Sequence, residues 1–184
     1  MKIAVVMDPI SNIDFKKDST LLLIYEAQKR NHDVFYIESN NLFFDGKDAC
    51  ALSSKIEVKM DPKSWFSLDE ENRIFLKDLD VIFMRQDPPF DMGYINNTYV
   101  LDSAENDGVR IYNKPSSLRN FNEKISILEY LEFCTETIVT SDKNLILNFI
   151  EKDKDVVDKP LNLMGGQGIE KIKLNNCQTQ MFLK

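Results

Sequence analysis

A lysine precedes a glycine-rich loop near the carboxyl end of the sequence, within the stretch DKPLNLMGGQG at 158–168. Glycines let backbone N–H groups approach an anion closely, and Lys159 adds a mobile positive charge, so a triphosphate is the natural ligand of this pair. The predicted phosphate-binding loop contains Met164, Gly165, Gly166 and Gln167. Its spacing is not that of the P-loop, in which the lysine follows the glycines. The alternative is an ordinary hairpin turn with a solvated lysine.

A second basic candidate is Lys124, which ends the stretch NKPSSLRNFNEK at 113–124. The sequence predicts a helix from 122 to 133, which places this lysine in a first turn, where the helix dipole disfavours a positive charge. A lysine in that place is either solvated or held for a ligand. Because no glycine loop adjoins Lys124 in the sequence, we expect Lys159 to contribute more to nucleotide affinity.

Arg85 and Asp87 lie in a polar loop, MRQDPPFD at 84–91, that leaves a predicted buried strand. Ligands of open α/β sheets bind at the carboxyl ends of the strands, so this loop is a candidate substrate-binding segment. Arg85 can hold a carboxylate through two parallel hydrogen bonds. The alternative is an Arg–Asp pair that only fixes the loop.

Composition excludes several function classes. The net charge of −7 and the lack of a basic stripe argue against a nucleic-acid partner. A single histidine rules out a His-based metal cluster, so we predict no metal ligands in this chain. No signal peptide or membrane-spanning run is expected. Cys50, Cys134 and Cys177 have no C-x-x-C spacing, which predicts reduced thiols in a cytoplasmic protein.

Apolar runs and turn residues predict alternating strands and helices. A buried strand at 3–7, a helix capped by Asp18 or Ser19, and a strand at 34–37 form a β-α-β unit with parallel strands. Asp45-Gly46 favours a hairpin with a type I′ turn. The other predicted elements are strands at 81–84, 109–112 and 137–140, helices at 95–106 and 142–151, the second capped by Ser141, and a strand from 156 that returns at 169–174.

This alternation predicts an α/β protein that begins with a Rossmann-like parallel sheet. The character of the sequence changes around Pro115, and we place the domain boundary within 113–122. The predicted domains are residues 1–118 and 119–184.

Taken in this order, the segments resemble the prokaryotic glutathione synthetases of the ATP-grasp superfamily. The resemblance spans nearly the whole chain, which makes it far more specific than a lone glycine motif. The matching stretches are VVMDPI at 5–10, KKDST at 16–20, FMRQDPPFD at 83–91, YNKPSSLRNFNEK at 112–124 and DKPLNLMGG at 158–166.

The resemblance implies a ligase that joins glycine to γ-glutamylcysteine with ATP and Mg²⁺ through an acyl phosphate. It implies that residues 1–118 bind substrate, that 119–184 are part of an ATP-grasp domain, and that the enzyme is homo-oligomeric. By the same resemblance, Lys124 and Lys159 contact nucleotide, and Gly165 and Gly166 belong to a mobile loop over the phosphates.

The sequence departs from the family pattern near the loop and at its end. Asp158 replaces an apolar residue before the loop lysine, Leu163 replaces a glycine, and Gln86 replaces a basic residue. In the family, the metal-binding carboxylates and the arginines that stabilise the acyl phosphate lie beyond position 184. We therefore expect a truncated chain that on its own forms no measurable glutathione.

Two alternatives stay open at this point. One is a different ATP-grasp carboxylate–amine ligase, such as a glutamate-adding or dipeptide ligase, although the DPPFD and NKPSSLRN stretches favour glutathione synthetase. The other is a degenerate binding fragment without turnover. Product analysis with varied acceptors separates the two ligases.

Overall fold

Most helices and strands lie within the first 120 residues, where six strands follow one another between the first two α-helices. The computed structural model describes residues 1–153 and 155–172 and divides into one unit of Met1–Asn120 and a second that begins at Phe121. The elements are β1 (Lys2–Met7), α1 (Ser19–Lys29), β2 (Asp33–Glu38), β3 (Leu42–Asp45), β4 (Asp48–Val58), β5 (Phe66–Leu68), β6 (Asn72–Phe75), β7 (Val81–Met84), α2 (Met92–Asn106), β8 (Arg110–Tyr112), α3 (Pro115–Asn120), α4 (Lys143–Lys152), β9 (Val156–Asp158) and β10 (Glu170–Ile172).

The first unit is built on a mixed sheet in the order β3-β4-β2-β1-β7-β8, with β5 and β6 also paired to β4. The strands β2, β1, β7 and β8 are parallel, and β4 runs antiparallel to β2. Val5 of β1 lies opposite Tyr36 on one side and Phe83 on the other. The predicted α/β class with a parallel sheet is therefore confirmed.

Side chains of the central strand are buried on both faces of the sheet. Ala4 and Val6 belong to the core cluster that contains Leu101 of α2, whereas Val5 and Met7 belong to the cluster that contains Leu21 of α1. Successive residues of a strand point to opposite faces, so a strand covered on both sides must be apolar without interruption. This is why the sequence shows an apolar run here and no alternation.

Helix starts in the first unit agree with the capping chemistry of the sequence. The side chain of Asp18 accepts hydrogen bonds from the N–H groups of Thr20 (2.7 Å) and Leu21 (2.9 Å), which confirms the predicted cap of α1. Asp91 caps α2 in the same way, so this helix begins three residues before the predicted position. Gly108 follows the helix with φ of 98°, a conformation that glycine adopts without steric cost.

The predicted hairpin is present, but its turn is not of type I′. Asp45 pairs with Asp48, which leaves Gly46 and Lys47 as the two central residues. Type I′ requires a positive φ at both central positions, and only Gly46 has one, at 61°. A positive φ at the first position alone is the arrangement of type II′.

The second unit contains α4 and the two-stranded antiparallel sheet of β9 and β10. Glu170 lies opposite Asp158 and Ile172 opposite Val156, which confirms a hairpin around the glycine loop; the predicted end of the return strand, at 173–174, lies outside the described residues. Ile150 and Ile172 are the buried apolar residues of this unit within its described part.

Three predictions for the second unit were wrong. Residues 122–133 do not form one α-helix; a 3₁₀ stretch at Ser126–Phe133 is interrupted at Tyr130, and no residue in it is buried. Helices in proteins depend on packing of an apolar face, which this stretch lacks. Residues 137–140 are not a strand, because no neighbouring strand pairs with them in the described part of the chain. The cap of α4 is Asp142, which accepts from two N–H groups, and not Ser141.

None of the helices within the described residues has the length and apolar character needed to cross a membrane.

The two-sided core predicts a sharp contrast between two leucines on the helices of the first unit. Leu101 of α2 is fully buried, whereas Leu22 of α1 is 51% exposed. We expect Leu101→Ala to lower the free energy of unfolding of the first unit by about 2–5 kcal/mol, because it leaves a cavity. Leu22→Ala is the matched control, with a change within about 0.5 kcal/mol.

Urea unfolding measures the free energy of unfolding of both variants. The fluorescence of Trp65, the single tryptophan, reports on it because Trp65 packs against the core of this unit. Equal losses in the two variants would contradict the burial of Leu101 in the core.

Candidate functional site

The carboxyl ends of β1 and β7 lie side by side because the two strands are parallel neighbours, with Val6 opposite Met84. The residues that leave these ends are Asp8 and Arg85, followed by Asp87. The N–H of Asp87 donates to Oδ2 of Asp8 (2.8 Å), and the N–H of Arg85 donates to the carbonyl of Val6 (2.7 Å). The predicted substrate loop is thereby fixed against the first strand of the sheet.

Arg85 is held by hydroxyl groups at the start of α1. Its Nε donates to Oγ1 of Thr20 (3.1 Å) and its Nη2 donates to Oγ of Ser19 (3.0 Å). Thr20 is buried, so the guanidinium group has a fixed anchor. Within the described residues no carboxylate lies at ion-pair distance from Arg85, so the alternative of an Arg–Asp pair is wrong. Two neutral anchors position the side chain and leave its charge available.

The charges of two neighbouring carboxylates act on the carboxyl group of Asp87. Burial raises the pKa of Asp87 above its usual value, and the charges of Asp8 and Asp18 raise it further, while Arg85 lowers it. Asp18 already accepts two backbone hydrogen bonds as the cap of α1. Within the described residues the carboxylate of Asp87 has no hydrogen-bond donor. We name Asp8, Asp87, Arg85, Ser19 and Thr20 the edge cluster.

A tyrosine fixes the backbone that follows β1. The Tyr36 hydroxyl accepts from the N–H of Ile10 (3.1 Å) and donates to Oε1 of Glu38 (2.9 Å). Burial raises the pKa of Tyr36, as does the hydrogen bond to Glu38, so the phenol stays protonated. Neutral Tyr36 thus holds the loop that presents Asp8.

Sequence reasoning identified Arg85 and Asp87 but missed Asp8, Ser19 and Thr20 as members of the site. A usable signal was present, because Asp8 follows one buried strand just as Asp87 follows another, and the carboxyl ends of parallel strands share an edge. The two hydroxyl residues lie in KKDST at 16–20, one of the stretches that resemble the family, but no local spacing relates them to Arg85. Their contact with Arg85 joins positions 65 and 66 apart in the sequence.

The glycine loop of the second unit has a backbone suited to anions. Gly165, Gly166 and Gly168 have positive φ values of 61°, 82° and 65°. The N–H groups of Gly165 and Gly166 have no acceptor within the described residues, and a Cβ at either position would meet open space. Gly168 differs, since a Cβ there would lie 2.9 Å from Cγ of Pro160 and 3.4 Å from Cδ1 of Leu163. Exposed N–H groups in left-handed backbone form anion-binding concavities.

Lys124 lies beside this loop and not in a helix, which corrects the sequence prediction. Its Nζ donates to the carbonyl of Leu163, and its N–H donates to Oδ1 of Asn122 (2.9 Å). Asn122 in turn donates to the carbonyl of Leu161 (3.3 Å). The sequence prediction assumed that Lys124 has no glycine loop beside it. In the fold this assumption is wrong, because Lys124 contacts Leu163, which lies 39 residues away in the sequence.

Lys159 is exposed and follows β9 directly. Its ammonium group has no hydrogen-bond or ion-pair partner among the described residues. Lys159 and Asp158 line a cleft of about 720 Å³, and its other lining residues come from 135–140, α4, the segment before β9, β9 itself and β10. This volume is within the range of small-molecule sites. The second unit therefore offers a free cation at a cleft and, in the same unit, a loop with free N–H donors.

The described residues bring together no group of three or more His, Cys, Asp or Glu side chains that could hold a metal ion. Cys50 and Cys134 are free thiols, and Cys177 lies outside the described residues.

Two family models match the chain in succession. Residues 1–119 match the prokaryotic glutathione synthetase N-terminal domain, and residues 123–184 match the prokaryotic glutathione synthetase ATP-grasp domain.

Curated relatives named glutathione synthetase match along the chain. The protein of Wigglesworthia glossinidia brevipalpis is 44% identical over 183 residues, and that of Vibrio parahaemolyticus is 42% identical over 184 residues. Each match covers 100% of this chain and 58% of the relative's length.

Among solved structures, D-alanyl-alanine synthetase A from Vibrio cholerae has a TM-score of 0.57 at 12% identity, covering 99% of this chain and 55% of that one. That similarity shows the fold alone.

The charges of the edge cluster predict opposite effects on the Asp87 carboxyl. Asp8→Asn removes a neighbouring negative charge, so we expect the pKa of Asp87 to fall towards its usual value. Arg85→Gln removes a positive charge, so the pKa should rise. Because the folded pKa is raised, ionised Asp87 destabilises the fold at neutral pH, and this cost disappears as the pH falls through that pKa.

A carbon-detected NMR titration of the Asp87 carboxyl group measures these changes. Asp107→Asn is the control, because Asp107 lies at the other end of α2. If Asp8→Asn and Arg85→Gln shifted the pKa in the same direction, the proposed geometry of charges would be wrong.

Proposed function

Because the chain belongs to the prokaryotic glutathione synthetase family, we propose that the protein is an ATP-dependent ligase that joins glycine to γ-glutamylcysteine. The observation that carries this proposal is the succession of two family matches, which together cover residues 1–119 and 123–184. The chain spans 58% of the length of the curated relatives, so the activity is proposed for a protein that includes the remaining length.

We assign the two predicted domains to the two kinds of substrate. Residues 1–118 bind the dipeptide at the carboxyl edge of the parallel sheet, with Arg85 and Asp87 in contact with it. Residues 119–184 are the first part of the ATP-grasp domain, in which Lys124, Lys159 and the loop Met164–Gln167 hold the nucleotide. The free N–H groups of Gly165 and Gly166 support this assignment.

In the proposed reaction, a carboxylate oxygen of the cysteinyl residue attacks the γ-phosphorus of ATP, which forms an acyl phosphate and releases ADP. The amine of glycine then attacks the acyl carbon, the C–O bond to phosphate breaks, and the amine loses a proton. Negative charge on the transferred phosphoryl group is stabilised by positioned cations and backbone N–H donors. A lysine at the cleft and free loop amides are groups of that kind.

We propose Mg²⁺ as a cofactor on the basis of the family alone. The described residues bring together no set of metal ligands. We also propose a cytoplasmic, homo-oligomeric enzyme. The free thiols Cys50 and Cys134 are consistent with a reducing compartment.

Substitution of either lysine should lower the affinity for ATP, but only substitution of Lys124 should also lower the thermal stability. Lys159→Ala removes an unpaired charge, so we expect ATP affinity to fall about ten- to a hundredfold with unchanged thermal stability. Lys124→Ala also loses the bond to Leu163, so it should lower the thermal stability of the second unit as well. Asp158→Leu should tighten binding, because a carboxylate near the phosphates repels them.

Calorimetric titration with ATP measures the affinity, and thermal unfolding measures the stability. Lys143→Ala is the control, since Lys143 is an exposed lysine of the same unit. If Lys159→Ala left the affinity unchanged and Asp158→Leu failed to raise it, the loop would be an ordinary turn.

Glutathione formation can be tested with a chimera. We expect that this chain, continued with the carboxyl-terminal part of the Wigglesworthia relative, forms glutathione from γ-glutamylcysteine, glycine and Mg·ATP. Sustained turnover of ATP to ADP should require both substrates, because without glycine the acyl phosphate is not consumed. Chromatographic analysis of the product, with D-alanine and glutamate as alternative acceptors, identifies the reaction. A chimera that is folded and ligates another acceptor but not glycine would overturn the proposed function in favour of a different ATP-grasp ligase.

A further inference from the structure

Along β4, the side of the sheet that faces α1 passes from covered to open. Ile56 belongs to the core cluster that contains side chains of α1, and it lies opposite Leu68 of β5. Leu52 points to the same side, because residues an even number apart on a strand share a face. Leu52 and Leu68 are nevertheless 37% and 39% exposed. The open side of an antiparallel sheet is usually polar, so apolar residues in this place indicate a contact surface.

Two aromatic side chains extend this surface across the neighbouring strands. Cys50 of β4 lies between Phe43 of β3 and Phe75 of β6 in the register of the three strands. Cys50 is two residues from Leu52, so all of these side chains point to the same side. Phe75 is 36% exposed, whereas Cys50 between the two phenylalanines is fully buried. We name the four apolar residues of this surface the open face; they are Phe43, Leu52, Leu68 and Phe75.

Arg73 is fixed across the open face. The central carbon of its guanidinium group lies 5.7 Å from the ring centre of Phe43 and 5.2 Å from that of Phe75. Its Nη2 donates to Oδ2 of Asp45 and to Sγ of Cys50, so the ion pair spans β4 from β6 to β3. Aromatic rings and arginine are enriched in protein interfaces, and a side chain that is already held loses little entropy on binding.

The open face carries little net charge. Arg73 is paired with Asp45, and Lys77, which stacks on the ring of Phe75, is paired with Asp48 at 2.5 Å. With the carboxylate of Glu71, which accepts from Asn41, two cations and three carboxylates leave a charge of −1, whereas the whole chain carries −7. Two copies of a chain with the same net charge repel each other, so they approach more easily through a surface of low charge.

We infer that the open face is the contact between two copies of this chain in a dimer with two-fold symmetry, in which the two sheets pack face to face. A two-fold contact places one surface against itself, so β4, the middle of the three strands, brings Leu52 of one copy to Leu52 of the other. The ion pairs at Arg73 and Lys77 enter the contact already neutralised, which limits the cost of burying them. This inference goes beyond the proposed reaction and adds a contact surface to the proposed homo-oligomer.

A charge at the centre of the open face should separate the copies. In Leu52→Glu, two carboxylates meet at the symmetry axis, so we expect the dimer to dissociate at least about tenfold more readily than that of the unchanged chain. Leu22→Glu is the matched control, because Leu22 is an exposed leucine of α1 and not part of the open face; its dimer should be unchanged. Sedimentation equilibrium of the full chain measures the dissociation constants, and circular dichroism establishes that each variant is folded.

Opposite charges at position 52 test the symmetry of the contact. Leu52→Lys alone should weaken the dimer as Leu52→Glu does, but an equal mixture of the two variants should recover it as a mixed dimer. Recovery requires position 52 of one copy to face position 52 of the other. Native mass spectrometry identifies the mixed dimer.

Salt separates an apolar contact from one made by charges. Raising NaCl from about 0.05 M to about 0.5 M should tighten the dimer of the unchanged chain, because screening reduces the repulsion between two chains of charge −7. A dimer held by ion pairs between the copies would become weaker.

Several results would overturn the inference. They are a chain that stays monomeric at about 100 µM in both salts, a Leu52→Glu dimer as tight as that of the unchanged chain, equal weakening by Leu22→Glu, and a mixture without recovery. The proposed reaction is judged separately, by glutathione formation in the chimera. A chimera that makes glutathione as a monomer would refute the dimer contact and leave the ligase standing.

Discussion

The parallel pairing of β1 with β2 and β7 is the constraint on which the first unit depends. Because both faces of β1 are covered, its side chains must be apolar from Ile3 to Met7, and polar residues can appear only where the strand ends. The same holds for β7, which ends at Met84. Parallel neighbours end at the same edge, so Asp8 and Arg85 are brought together by the burial of the strands that precede them.

Two arginines of the first unit show how the surroundings of a charge determine its use. Arg119 donates to Oδ2 of Asp102 (2.6 Å) and to the hydroxyl of Thr98 (2.9 Å), so its charge is neutralised within the fold and its role is structural. Arg85 is anchored by hydroxyls alone. Since a hydroxyl fixes the geometry without cancelling the charge, Arg85 can act on a ligand.

The second unit is organised less by burial than by polar contacts within its described part. Asn122 and Lys124 bond to the carbonyls of Leu161 and Leu163, which fixes the chain before the glycine loop. Pro160 and Leu163 pack where a side chain at Gly168 would lie, so this end of the loop is closed, whereas Gly165 and Gly166 face open space. Loop residues with positive φ and free N–H groups are thus held on a fixed base, which is the arrangement that anion binding needs.

The sequence by itself determined the features that depend on neighbouring residues. The apolar runs gave β1 and β7, Asp18 capped α1, and Gly108 marked the end of α2, because burial pattern, capping and left-handed backbone are properties of a few consecutive residues. Arg85 and Asp87 became candidates because they leave a predicted buried strand, and Lys159 because a glycine-rich loop follows it. The family resemblance then linked both lysines to the nucleotide.

Only the tertiary structure decided what depends on distant partners. Residues 137–140 have strand-like composition, but a strand requires a hydrogen-bonded neighbour, and 122–133 lack the packing that would stabilise an α-helix. The anchoring of Arg85 on Ser19 and Thr20 and the bond from Lys124 to Leu163 join residues 39 to 66 positions apart. No local pattern encodes such contacts, because they arise when separate elements pack and their side chains meet.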